Sequence, residues 1–154
     1  MQPERISKPS FTVIGKMGST EAGEGFIAAL WADANAHFHE IAHLVKQTEN
    51  GSLAGVWGAM SDFAMNFLPW TADFSEGLYL AGAECRDEAD APEGWTKWVV
   101  PGFEYLRLEN GGPETFARMI SYMKEAGIPL VGAVQELTDP ASGKEYLLFP
   151  VRRL

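Results

Sequence analysis

The sequence predicts an α+β fold: two strand–helix–strand–strand units forming an antiparallel sheet, with two helices on one face and a ligand cleft between the units. Three observations lead there. Short apolar runs bounded by turn residues, at 78–85 and 130–136, read as buried strands. Two other segments carry apolar residues at helical spacing. Both kinds of segment follow one another in the same order twice, and two such units make a sheet covered on one face. The halves share little residue identity, so the repeat is one of element order.

Residues 1–10 are expected to be a flexible lead-in to a single domain spanning 1–154. Residues 11–20 read as a strand running into a Gly/Ser/Thr turn. A helix is expected over about 24–46, where Phe26, Leu30, Phe38, Ile41 and Val45 define one apolar face. Asn50-Gly51-Ser52 stops it. Strands follow at 55–63 and 78–85. The aromatic, proline-containing stretch between them reads as a packed loop or lid. Residues 86–94 form an acidic loop, and 95–109 one strand interrupted at Pro101-Gly102. The second helix has Pro113 in its first turn and a stripe of Phe116, Met119, Ile120 and Met123, and it ends at Gly127 before Pro129. Strands at 130–137 and 144–151 complete the chain.

The composition excludes several classes. A formal net charge of -9 disfavours a nucleic-acid surface and anionic lipid, and favours cations. Cys85 is the only cysteine, so no internal disulfide forms, which suits a reducing, cytoplasmic setting. No segment has the length of a membrane span. Nothing in the composition implies a cofactor or fixes an oligomeric state.

Two glutamates stand out chemically. Glu84 and Glu136 each close an apolar strand-like run. A buried carboxylate must find a partner, shift its pKa or serve a ligand, because desolvating a lone charge costs several kcal/mol. If the two units face each other, both carboxylates reach one cavity.

From residue 55 onward the chain resembles the GyrI-like small-molecule-binding family, the effector-binding domain of AraC-type and multidrug-responsive regulators. The matching pieces are GVWGAMSDF, LYLAGAEC, VVPGFEYLRLENGGPETF, QELTDP and KEYLLFPV, in that order. The resemblance implies a two-unit sheet with a ligand cleft whose wall carries an acid ringed by aromatics to receive lipophilic cations. It maps that acid to Glu136 and places Glu84 in the family's Gly-x-Glu strand. Tyr105 falls at the tyrosine of Pro-Gly-x-x-Tyr, and Tyr146 lies in the closing strand. Trp57 and Trp98, on strands expected beside the cleft, complete the expected ligand-binding set. Only about ten residues precede the first strand, so no helix-turn-helix domain is expected and direct DNA binding is not. The reading that follows is a non-enzymatic binder of a cationic, amphipathic small molecule. The alternative is a hydrolase of the cyclopropanoid-detoxifying type, in which Glu84 and Glu136 would handle water and protons.

The remaining signals are weaker. His39-Glu40-Ile41-Ala42-His43 matches H-E-x-x-H, but Ile41 belongs to the apolar stripe and no third ligand follows, so no metal site is expected. Tyr79 alternates to the strand face opposite Glu84 unless Gly82 makes a bulge. Trp31 and Trp95 read as core or lid packing, and nothing in the sequence places Trp70.

Overall fold

Alternation along each strand divides this chain into two apolar layers, one on either side of a single sheet. The computed structural model describes residues 2–154. The strands are β1 (Glu4–Lys8), β2 (Phe11–Ser19), β3 (Val56–Ser61), β4 (Leu78–Cys85), β5 (Thr96–Val100), β6 (Phe103–Glu109), β7 (Gln135–Thr138) and β8 (Glu145–Arg153). The helices are α1 (Phe26–Ala36), the single turn α2 (Thr71–Phe74) and α3 (Thr115–Ala126). All strands pair antiparallel in the order β1-β6-β8-β7-β3-β4-β2-β5. The fold is the expected α+β class, with α1 and α3 on one face.

The order exposes a two-fold pattern. β2-β4-β3 of the first unit meets β7-β8-β6 of the second across the β3–β7 pair, Trp57 opposite Leu137 and Gly58 opposite Glu136. The outermost strands are exchanged: β1 joins β6 of the second unit, and β5 joins β2 of the first. Only two residues link β1 to β2 and β5 to β6, and these links lie against each other, Gly102 beside Pro9 and Ser10. The sheet therefore curls strongly on the side away from the helices.

That curled side encloses one core, of Phe11, Val13, Trp57, Leu80, Trp98, Val100, Phe103, Tyr105 and Leu148. On the helix side, α1 packs over Ile14, Tyr79, Ala81 and Ala83, and α3 over Leu106, Val134, Leu147 and Phe149. Between β2 and β4 the strands approach so closely that a Cβ on Gly15 or Gly82 would strike the opposing backbone at under 3.0 Å. Only glycine fits there, and the register passes through without a bulge.

Four expectations are corrected. Residues 4–8 are not flexible but form an edge strand, held by Arg5–Glu104 (2.7 Å) and Arg107–Glu4 (2.8 Å). The first helix ends at Ala36, and the chain continues in two 3-10 turns, Phe38–Glu40 and Ala42–Leu44, which carry His39 and His43. The H-E-x-x-H pattern thus lacks the helix that would bring its histidines to one face. Residues 96–109 are two strands on opposite sides of the sheet, because Pro101 lacks the N–H a continuous ladder needs. The last hairpin begins at Gln135, and 130–134 are irregular.

Candidate functional site

One row of paired residues crosses the helix side of the sheet: Ala81 on β4, Gly58 on β3, Glu136 on β7 and Leu147 on β8. Ala81 lies under α1 and Leu147 under α3, so Glu136 stands where neither helix covers the sheet. The bottom of the gap between the helices is therefore a carboxylate. Gly58 leaves the space it needs, since a Cβ there would meet the Glu136 carboxylate and the Tyr79 hydroxyl at under 3.0 Å.

Tyr79 donates its hydroxyl hydrogen to Glu136 Oε1 at 2.5 Å, and Trp31 Nε1–H of α1 donates to the same hydroxyl oxygen at 3.0 Å. This chain ties the helix of one unit to the strand of the other. Among the described residues no Lys, Arg or His pairs with Glu136. Burial raises its pKa above the ordinary carboxylate value, against the lowering effect of the Tyr79 hydrogen bond, and the charge of Glu145 pushes the same way as burial. Burial, with the neighbouring Glu136 charge, also drives the Tyr79 phenol far upward, so it stays a proton donor.

Two chambers meet at this carboxylate, sharing Glu136 and Asn110 in their walls. One, of about 300 Å³, is mostly apolar, with Met60, Trp70, Phe74, Phe116 and Leu147 among its walls. The other, of about 330 Å³, is more polar and includes Trp31, Asn35, Tyr79, Glu145 and Tyr146. A cavity of this size with few polar groups among aromatic rings has the character of a small-molecule site.

The aromatic wall depends on the loop between β3 and β4. Asp62 organises it, accepting from Asn66 N–H (2.9 Å), Leu68 N–H (3.2 Å) and the Ser61 hydroxyl (3.1 Å). Burial raises the Asp62 pKa, but these hydrogen bonds outweigh it and the net shift is downward. Trp70 is fixed by donation from Nε1 to Leu78 O at 3.0 Å. In α2, Ala72, Asp73 and Phe74 are left-handed, with φ of 50°, 59° and 63°. Each such residue costs about 1–2 kcal/mol. That turn sets the Phe74 ring edge-on to Phe116 of α3 at 5.1 Å, closing the apolar chamber.

Of the residues expected to bind, Glu136 lies at the centre of this cleft. Tyr146 touches the wall of the polar chamber, but its place beside Leu147 turns its ring to the other side of the sheet, where it packs on the curled core under the Arg107 guanidinium at 4.7 Å. The other four are elsewhere. Trp57, Trp98 and Tyr105 point to the opposite side of the sheet and are buried in the curled core. Glu84 shares their side, pairing with Lys8 at 3.1 Å and more distantly with Lys46 at 3.8 Å. Lys8 in turn lies over the ring of Phe11 at 4.6 Å. Parity explains the separation: Tyr79 and Glu84 are five residues apart on one unbulged strand, so they face opposite ways. Glu84→Gln is accordingly expected to cost about 1–3 kcal/mol of stability in urea unfolding, by leaving Lys8 half-desolvated and unpaired, with ligand affinity unchanged.

Tyr79, Trp31, Phe74 and Phe116 are the site residues that sequence reasoning missed, and Trp70 is a candidate ligand cap that it could not place. The one available signal was the strand parity that set Tyr79 on the face opposite Glu84; the structure places that face under the helices.

No protein-family model and no curated protein matches the sequence. Solved structures share the fold. The EcmrR C-terminal domain superposes with a TM-score of 0.67 at 13% identity, covering 99% of this chain and 98% of that one. In the EcmrR–DNA complex the matched EcmrR chain is longer, and this chain spans 58% of it, at a TM-score of 0.68 and 13% identity. SAV2435, solved bound to tetraphenylphosphonium, gives a TM-score of 0.66 at 16% identity, with 99% of this chain and 94% of that one covered. A hydrolase from Listeria innocua gives 0.54 at 17% identity, covering 97% and 91%. Among the described residues no helix is long and apolar enough to cross a membrane.

Proposed function

We infer that this protein binds a small amphipathic cation in the cleft between α1 and α3, with Glu136 as its charge partner. The observation that carries the reading is the state of Glu136: it lies in an aromatic cleft, hydrogen-bonded by a neutral phenol and without a cationic side chain against it. A carboxylate left so is poorly solvated and gains most from a ligand cation. Flat rings beside it supply apolar area and cation–π attraction. The likeness to SAV2435 in its tetraphenylphosphonium complex supports the same choice of ligand, and the overall fold supports the GyrI-like resemblance. A cytoplasmic effector-binding protein without direct nucleic-acid contact fits the charge of -9.

The alternative, hydrolysis by a Glu84–Glu136 pair, loses its second carboxylate to the far side of the sheet, where Lys8 engages it. A hydrolytic reaction in this cleft would rest on Glu136 alone.

Charge is the property to test, because shape is easily shared. Tetraphenylphosphonium and tetraphenylborate have nearly the same form and opposite sign. Isothermal titration is expected to show saturable binding of the phosphonium, and binding of the borate weaker by at least ~100-fold. Equal affinities would remove Glu136 from the reading.

A further inference from the structure

A third chamber continues the cleft beneath the C-terminal half of α1. It has about 160 Å³ and is lined by Ala34, Phe38, Ile41, Leu53, Ala83 and Trp95 among others. Trp31, Asn35 and Val56 belong to its wall and also to that of the polar chamber beside Glu136. The three spaces thus run in series: an apolar chamber under α3, a polar middle around Glu136 and Glu145, and an apolar chamber under α1. Of the three groups that part the second space from the third, only the Trp31 indole is large. It donates one hydrogen bond, to the Tyr79 hydroxyl, and meets the Tyr79 ring edge-on at 6.4 Å.

We propose that the site takes an elongated ligand: an aryl or bulky apolar group under α3, a cationic centre at Glu136, and an aliphatic tail passing Trp31 into the chamber under α1. This rests on the reading of the cleft as a cation site and adds to it the ligand's shape and its second apolar end. The sizes of the two apolar chambers assign the parts. The α3 chamber, of about 300 Å³ with Trp70, Phe74 and Phe116 among its walls, has room for a bulky aryl group. The α1 chamber, of about 160 Å³, is smaller, and its surface of Ala34, Ile41, Leu53 and Ala83 beside Phe38 and Trp95 suits a chain. Each methylene of a tail buried there should strengthen binding by up to about fourfold until the chamber is full.

The test uses the whole protein and a series of benzyldimethylalkylammonium ions of growing alkyl length, below their micelle concentrations, with benzyltrimethylammonium as the tail-less member. Affinity is read by isothermal titration against wild type and against Ala34→Phe, which fills the α1 chamber from the helix. Leu53→Phe fills it from the opposite wall and serves where the first variant does not fold. Affinity rising with chain length in the wild type, and level in a filled variant that still binds the tail-less ion, supports the proposal. Chain-length gains that persist unchanged in the filled variants overturn it, since the tail then lies elsewhere. Equal affinities across the series in wild type also overturn it, yet leave the cation site intact. Failure of wild type to bind any member overturns both.

Discussion

Glu136→Gln is expected to weaken tetraphenylphosphonium binding by about 2–3 kcal/mol, roughly 30- to 150-fold, and to make the ligand-free protein more stable at neutral pH. The two effects share one cause. Burial holds the Glu136 carboxyl above its ordinary pKa, so at neutral pH the folded protein bears the cost of an ionised group poorly served by solvent. Between the ordinary and the raised value the folded chain binds more protons than the unfolded chain, and stability falls as pH rises through that window. Glutamine does not titrate. The gain in melting temperature of the variant over wild type should therefore be largest above the window and shrink as pH falls below the ordinary carboxylate value. Cation affinity of wild type should move oppositely, full above the window and fading as the carboxyl protonates. Unchanged phosphonium affinity in Glu136→Gln would reject Glu136 as the charge partner. A variant less stable than wild type at neutral pH would instead mark it as structural.

Trp57→Ala is expected to cost about 3–5 kcal/mol of folding stability, measured by urea unfolding. Trp57 is 2% exposed in the curled core, its ring 4.7 Å from that of Phe11. Truncation leaves a large cavity among Phe11, Leu80 and Trp98, which the opposed β strands cannot collapse to fill. The control is Trp57→Phe, which keeps most of the volume. It should retain ligand affinity, because Trp57 faces away from the cleft. Loss of affinity in Trp57→Phe at preserved stability would return the indole to the ligand site. Trp31→Phe should give the converse pattern, with tertiary structure kept and binding weakened as Tyr79 loses its donor.

Elements with one strongly buried face were legible in the residues. The α3 stripe of Phe116, Met119 and Met123 packs inward as its spacing requires, and the 78–85 strand is buried along nearly its whole length. β1 was not legible, because an edge strand of sequence ERISK buries little beyond Ile6 and is stabilised by backbone pairing and ion pairs instead. The end of α1 at Ala36 was hidden because the following 3-10 turns keep Ile41 and Val45 buried, which continues an apolar pattern without a continuous helix.

The candidate site divides along the same line. Glu136 as an unusual carboxylate, the two-unit element order and the opposed faces of Tyr79 and Glu84 follow from the sequence alone, because charge placement and strand parity are local properties. Which face becomes the cleft does not follow. That is decided by the exchange of β1 and β5 between units, which curls one side of the sheet into a core around Trp57, Trp98 and Tyr105 and leaves the other side to two helices with a gap between them. Pairing across the sheet joins residues far apart in the chain, so no local pattern distinguishes a carboxylate facing Lys8 from one facing an open cleft. Only the tertiary structure gives Glu84 its lysine and leaves Glu136 with a phenol.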